Sequence, residues 1–244
     1  MRFMLGNRFK SYSHSLHHLP TKGQNLFYSL FLIFSPLLNL AINLFAFEDF
    51  RRLSKSVHHQ FSLLNLLSEI SGSVLGVTLL LLGVCLVFVA QSRQQILRRF
   101  LLLFGILSSF YLFINLCTIS YGIFAFKVES VALLLVSGGI YASLNIVFLF
   151  WYWYSDYPNQ VKHLHHPQHP VQISFPNCNS DSGAGYAPGF IDYLYLTIMV
   201  SNTLGPPENH SPVGKKAKVL QLIHSTTMLV LLVIFVSRAI NTLA

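Results

Sequence analysis

Five long stretches of this chain carry no Asp, Glu, Lys or Arg: residues 26–47, 70–92, 100–126, 130–155 and 219–237. Each approaches or exceeds the roughly 20 apolar residues that a helix needs to cross a bilayer core about 30 Å thick. A backbone inside lipid must satisfy its own hydrogen bonds, which leaves helices and closed barrels. The strict alternation of apolar and polar positions that marks barrel strands is absent, so the pattern predicts helices.

A sixth apolar run, residues 190–204, is shorter. Its fifteen residues reach about 22 Å as a helix, short of the hydrocarbon thickness. Gly205-Pro206-Pro207 then breaks it, and a full-length apolar run follows. A short apolar helix, a Gly-containing break and a closing span are the parts of a re-entrant pore loop. The predicted fold class is therefore an all-α integral membrane protein with five transmembrane helices plus one re-entrant half-helix. Four regions follow: a basic cytoplasmic tail at 1–24, a four-helix transmembrane bundle at 25–155, a flexible polar loop at 156–188 and a pore-like module at 189–244.

Composition agrees with that class. Only 10% of the 244 residues are charged and 53% are hydrophobic, against about 25% charged in soluble domains. Residues 1–24 are polar and basic with no apolar core, so no cleavable signal is expected. The net charge of +8 is distributed at span ends rather than on one solvated face. Nucleic acid is thereby excluded as a partner and the lipid bilayer favoured. With the N-terminus cytoplasmic and the short helix re-entrant, eleven of the sixteen Lys and Arg lie inside and five outside. If the short helix spanned, the split would be nine to seven. The positive-inside rule favours the first arrangement. The aromatic run Trp151-Tyr152-Trp153-Tyr154, with Tyr157, predicts an interfacial belt.

Candidate chemistry is sparse. Cys85 and Cys117 fall within spans as small packing residues, and Cys178 has no evident partner. His163, His165, His166 and His169 form a His-Leu-His-His-Pro-Gln-His run. Imidazoles bind metals, but this run lies in a predicted mobile loop without the rigid support a metal site needs, so a solvated loop is the favoured reading. Asn39, Asn43, Asn115 and Asn145 lie within spans, where amides serve chiefly as interhelical hydrogen-bonding groups. Gly72 and Gly76 make a Gly-x-x-x-Gly pair that permits close helix approach. Glu69 adjoins a span, and His224 lies within the last one. No Ser/His/Asp order, phosphate-cradling loop or carboxylate pair is legible, so neither enzyme activity nor a cofactor is expected.

The final third resembles a group of uncharacterised bacterial multi-span membrane proteins. The resemblance rests on Phe150-Trp151-Tyr152-Trp153 through Asp156, on Phe190-Ile191-Asp192-Tyr193-Leu194, on Lys215-Lys216-Ala217-Lys218 and on Ser237-Arg238-Ala239-Ile240-Asn241. It implies a bacterial plasma-membrane location and no particular activity. The same region more distantly resembles the pore module of tetrameric potassium channels. Asp192, Leu194, Tyr195 and Thr203-Leu204-Gly205 fall in register with it, and Glu208 stands where that family has Asp. The implied pore-like residues are Asp192, Tyr195, Ser201, Asn202, Thr203, Gly205 and Glu208, in a homo-oligomer acting on small cations.

The departure lies at Pro206-Pro207, where that family has Tyr-Gly. A potassium filter turns successive carbonyls toward the ion, using glycine where φ is positive. Pro207 fixes φ near −65°, and Pro206 restricts Gly205 before it. The expectation is a channel-like, degenerate pore with weak ion selectivity. The alternative is a non-conducting membrane scaffold or assembly partner.

Overall fold

The fold is known from a computed structural model, which describes residues 34–38, 40–42, 61–90, 94–125, 130–166, 168–176 and 188–243. The described chain is mostly helical. After a helical segment at 34–38 and 40–42 come α1 (Phe61–Ala90), α2 (Gln94–Ala125) and α3 (Ser130–His165). A two-residue strand β1 (Ile173–Ser174) follows, then α4 (Phe190–Thr203), β2 (Ser211–Pro212) and α5 (Lys215–Leu243). The strands pair antiparallel, Ile173 opposite Pro212 and Ser174 opposite Ser211.

Among the described residues, three helices are long and apolar enough to cross a membrane: Arg98–Tyr121, Leu133–Leu164 and Lys215–Ile240. They answer to the predicted runs at 100–126, 130–155 and 219–237. The run at 70–92 lies mostly within α1, where Gly72–Leu81 is a shorter apolar stretch. Most of the run at 26–47 lies outside the described residues, as do Asn39, Asn43, Cys178, His14, His17, His18, His58 and His59.

The chain divides into two compact units. One, here the apolar unit, comprises Tyr28–Phe150 with Thr227–Ala244. Its helices are apolar all round, so sequence alone does not say which face is inside. Burial does. On α2 the buried positions include Leu101, Phe104, Ser108, Tyr111, Asn115 and Thr118, with Leu112, Ile114 and Ile119 buried beside them. On α3 they include Leu133, Val136, Ile140, Ser143, Val147 and Phe150, with Leu144, Asn145, Phe148 and Leu149 buried beside them. The first-named series on each helix steps alternately by three and four, the spacing of a helix-packing seam, and the residues beside it widen the buried face. Leu103, Ile106, Phe110 and Phe113 occupy the exposed side of α2, as a lipid-facing surface requires. Gly105 allows the Phe150 ring to lie directly against the α2 backbone, and Gly139 receives the Ile42 side chain. Gly72 and Gly76 have no such neighbour within 4 Å among the described residues.

The other unit, here the polar unit, contains Trp151–Thr226. It differs from expectation at its start. The predicted loop at 156–188 begins as helix, because α3 continues to His165 and carries Pro158 inside it. Proline removes one backbone donor and leaves the Tyr154 carbonyl without its usual partner. Side chains tie this stretch down instead. Asn159 Nδ2 donates to the Ser155 carbonyl at 3.1 Å, and Asp156 and Gln160, one turn apart, are both buried. The aromatic run is also more internal than a belt. Tyr152 and Trp153 are buried, and Trp153 stacks on Tyr157 with ring centroids 5.8 Å apart.

Candidate functional site

The polar unit is organised around one carboxylate. Asp156 is fully buried and accepts four hydrogen bonds. Its Oδ1 receives the backbone N–H groups of Gln172 and Ile173, each at 3.0 Å. Its Oδ2 receives the Tyr193 hydroxyl at 2.8 Å and Gln160 Nε2 at 2.9 Å. Gln160 Nε2 also reaches the Ile173 carbonyl at 2.8 Å. A carboxylate taken out of water needs such donors to offset its lost hydration. These donors come from α3 itself, from β1 with the residue before it, and from α4. One side chain therefore joins three elements.

A second polar chain runs through His224 of α5, also fully buried. Its Nε2 lies 2.9 Å from Ser201 Oγ, and its Nδ1 lies 3.3 Å from the Tyr152 hydroxyl. Ser201 donates its proton to the Thr197 carbonyl at 3.1 Å. Its oxygen therefore accepts from Nε2–H, and Nδ1 accepts from Tyr152. This fixes the imidazole as the Nε2–H tautomer and links α3, α4 and α5 through one ring.

α4 is thus fastened near both ends. Its own first turn is closed by Asp192, whose Oδ2 accepts the Gly189 N–H at 2.6 Å, as in half of a capping box. Its last residue is Thr203, and Leu204 follows in the left-handed region at φ 56°. Asn209 repeats that conformation at φ 62°. The turn between α4 and β2 is steadied by His210. The His210 ring lies edge-on to Phe175 with centroids 5.4 Å apart, and is tilted against Tyr195 at 5.6 Å.

The seven residues that the channel resemblance implies fall into two groups. Ser201 faces inward to His224 and Asp192 caps its own helix. Thr203 Oγ1 donates to the Met199 and Gly205 carbonyls, at 2.7 and 3.0 Å. Tyr195 is half exposed, packed on His210. Asn202, Thr203 and Glu208 are exposed, with Gly205 between them in the turn. The structure therefore gathers Asn202, Thr203, Gly205 and Glu208 at the C-terminal end of α4, and separates Asp192 and Ser201 from them.

The histidine run is differently placed from a solvated loop. His163 and His165 belong to α3, and His163 Nδ1 donates to the His169 carbonyl at 2.7 Å. Its ring closes the turn after the helix. Among the described residues no three His, Cys, Asp or Glu side chains come together as a metal site would require.

The sequence pattern did not reveal Asp156, Gln160 and Tyr193 as a cluster, nor the joining of Tyr152 and Ser201 through His224. Asp156 and Gln160 at a spacing of four, immediately after an apolar span, were the available signal. No protein-family model matches the chain, and no curated protein or solved structure is detectably similar to it.

Proposed function

We propose that this chain is a polytopic membrane protein whose C-terminal part is a channel-like, degenerate pore module, conducting small cations with little selectivity as a homo-oligomer. In this reading the chain has five spans and a cytoplasmic N-terminus in a bacterial plasma membrane, and α4 is the re-entrant half-helix. One observation carries it. α4 has 14 residues, about 21 Å of helix, and is held at both ends by side chains of the long helices on either side of it in sequence. A helix too short to span, fixed by Tyr193–Asp156 and Ser201–His224, holds its C-terminal turn in one place. Pore loops require such preorganisation. The exposed Asn202, Thr203 and Glu208 then supply dipoles and charge at the constriction. Pro206-Pro207 argues against a cage of potassium-type carbonyls.

The second reading, a non-conducting scaffold, is favoured by the inward orientation of Ser201 and the capping role of Asp192. Both residues are already engaged within their own unit.

Ion flux through purified protein in liposomes separates the two. Conduction with little discrimination between sodium and potassium is expected. Glu208→Gln is expected to lower cation preference, and Glu208→Lys to oppose cation entry, since rings of acids favour cations. No flux above empty liposomes, across voltage and pH, selects the scaffold. Re-entrancy has its own test. Cysteines introduced by Pro188→Cys and His210→Cys are expected to react with an impermeant reagent from the same side. Labelling from opposite sides means that α4 spans.

A further inference from the structure

The first turns of α5 carry an arrangement that the pore reading does not use. At about 100° per residue, Lys218, Lys215 and Lys216 fan over an arc of about 160°. All three are exposed, and none forms an ion pair among the described residues. Ala217 and His224 project from the opposite side of the helix and are fully buried. Val219, Leu222 and Ile223 fall inside the lysine arc, and each is more than half exposed. One face of α5 thus carries three ammonium groups at its start and an apolar strip beyond them.

We propose that this face binds an anionic phospholipid, with the headgroup phosphate on Lys215, Lys216 and Lys218 and an acyl chain along Val219, Leu222 and Ile223. Lysine stems lie along apolar surface while their charged ends reach the headgroup level, and basic residues beside a span attract anionic lipid. The rival occupant is a second copy of the chain. Parallel association through this face would set each lysine triad against its own copy. α5 contains no Asp or Glu to relieve that repulsion. A negatively charged lipid satisfies the charge and the apolar strip together.

The test uses the full chain in a neutral detergent, titrated with phosphatidylglycerol or phosphatidylcholine, with bound lipid counted by native mass spectrometry. Phosphatidylglycerol is expected to bind at least about tenfold more tightly, with the advantage shrinking as salt rises. The triple variant Lys215→Gln, Lys216→Gln, Lys218→Gln is expected to weaken phosphatidylglycerol binding about a hundredfold and to leave phosphatidylcholine unchanged. Equal affinity for the two lipids overturns the proposal, as does undiminished phosphatidylglycerol binding by the triple variant. Displacement of the lipid by inorganic phosphate at matched concentration assigns the lysines to free anions instead. Lipid-free cross-linking of two copies through the lysine face, lost in the triple variant, assigns the face to self-association.

Discussion

The polar unit and the apolar unit use side-chain hydrogen bonds in different proportions. In the polar unit they join distant parts of the chain. Tyr193 reaches Asp156 across 37 positions, His224 reaches Tyr152 across 72, and Ser201 reaches His224 across 23. In the apolar unit Ser35 Oγ donates to the Ser143 carbonyl at 3.5 Å, a long bond, while most other hydroxyls and amides described turn back on their own helix. Thr78 bonds the Val74 carbonyl, Ser109 that of Gly105, Thr118 that of Ile114 and Asn145 that of Tyr141. The 3–4 seams and the Gly105–Phe150 contact hold that unit by shape instead. Lipid explains the difference. Apolar surface gains little from burial between helices already dissolved in hydrocarbon, so close packing carries their association. A short helix with irregular connections on either side has many backbone groups to satisfy, and polar side chains supply partners.

Removing the Asp156 carboxylate tests this contrast most severely. Asp156→Ala leaves two backbone N–H groups, a tyrosine hydroxyl and a glutamine amide short of an acceptor in a buried setting. Each orphaned group costs about 1–3 kcal/mol, and partial relaxation brings the expected loss to roughly 4 kcal/mol. Asp156→Asn retains one acceptor oxygen and is expected to lose about half as much. Reversible unfolding in mixed detergent micelles measures both. A loss below about 1 kcal/mol for Asp156→Ala would mean that the polar unit does not depend on its hub.

In the apolar unit the severe substitution is steric. A side chain at Gly105 would run into the Phe150 ring, itself in the core. Overpacking of this kind costs about 1–3 kcal/mol, so Gly105→Val is expected to destabilise by about 2–3 kcal/mol. Gly139→Ala meets the Ile42 side chain at Cδ1 and Cγ1, adds only one methyl group where Gly105→Val adds three carbons, and is expected to cost less. If both glycines tolerate substitution equally, fit at the seam is not what holds these helices.

The same contrast explains what the sequence made legible. Helical class and three membrane-length helices follow from uncharged apolar runs, because the bilayer imposes that pattern directly. Where α3 ends was not legible. Asp156, Pro158, Asn159 and Gln160 have the composition of a loop, yet Asp156 and Gln160 face inward and the helix continues. The tertiary bonds that decide this come from Tyr193 and the residues around Ile173, far along the chain. The candidate site was legible only at its exposed end. Thr203 ends α4, and Gly205 and Glu208 sit in the break after it, as the Gly-Pro-Pro sequence suggests. The inward Ser201 follows from its pairing with His224, which no local pattern announces. Asp192 had a local signal, since it stands three residues after Gly189, the spacing of a helix-capping acid.

A milder test concerns the His224 ring. Tyr152→Phe removes the donor to Nδ1, and Ser201→Ala removes the acceptor from Nε2. Each is expected to cost about 1 kcal/mol. The two side chains share one imidazole, so their effects are expected to be coupled by at least about 0.5 kcal/mol in a double-mutant cycle. Strict additivity would mean that the ring does not transmit orientation between α3 and α4.

The smallest expected effect is the most discriminating. Ser108 is buried on the α2 seam, and its Oγ has no hydrogen-bond partner among the described residues. A hydroxyl desolvated without a partner costs stability rather than adding it. Ser108→Ala removes that polar atom and leaves a methyl group in nearly the same volume. The expected change is between zero and a gain of about 1 kcal/mol. Ser201→Ala in the polar unit is the same chemical change at another buried serine, with the opposite sign expected. If Ser108→Ala instead destabilises by about 1 kcal/mol or more, the seam contains a polar interaction and the apolar unit is not held by shape alone. Matching the two serine-to-alanine changes in one unfolding assay removes differences in volume and helix propensity. Hydrogen bonding then remains as the variable between the two units.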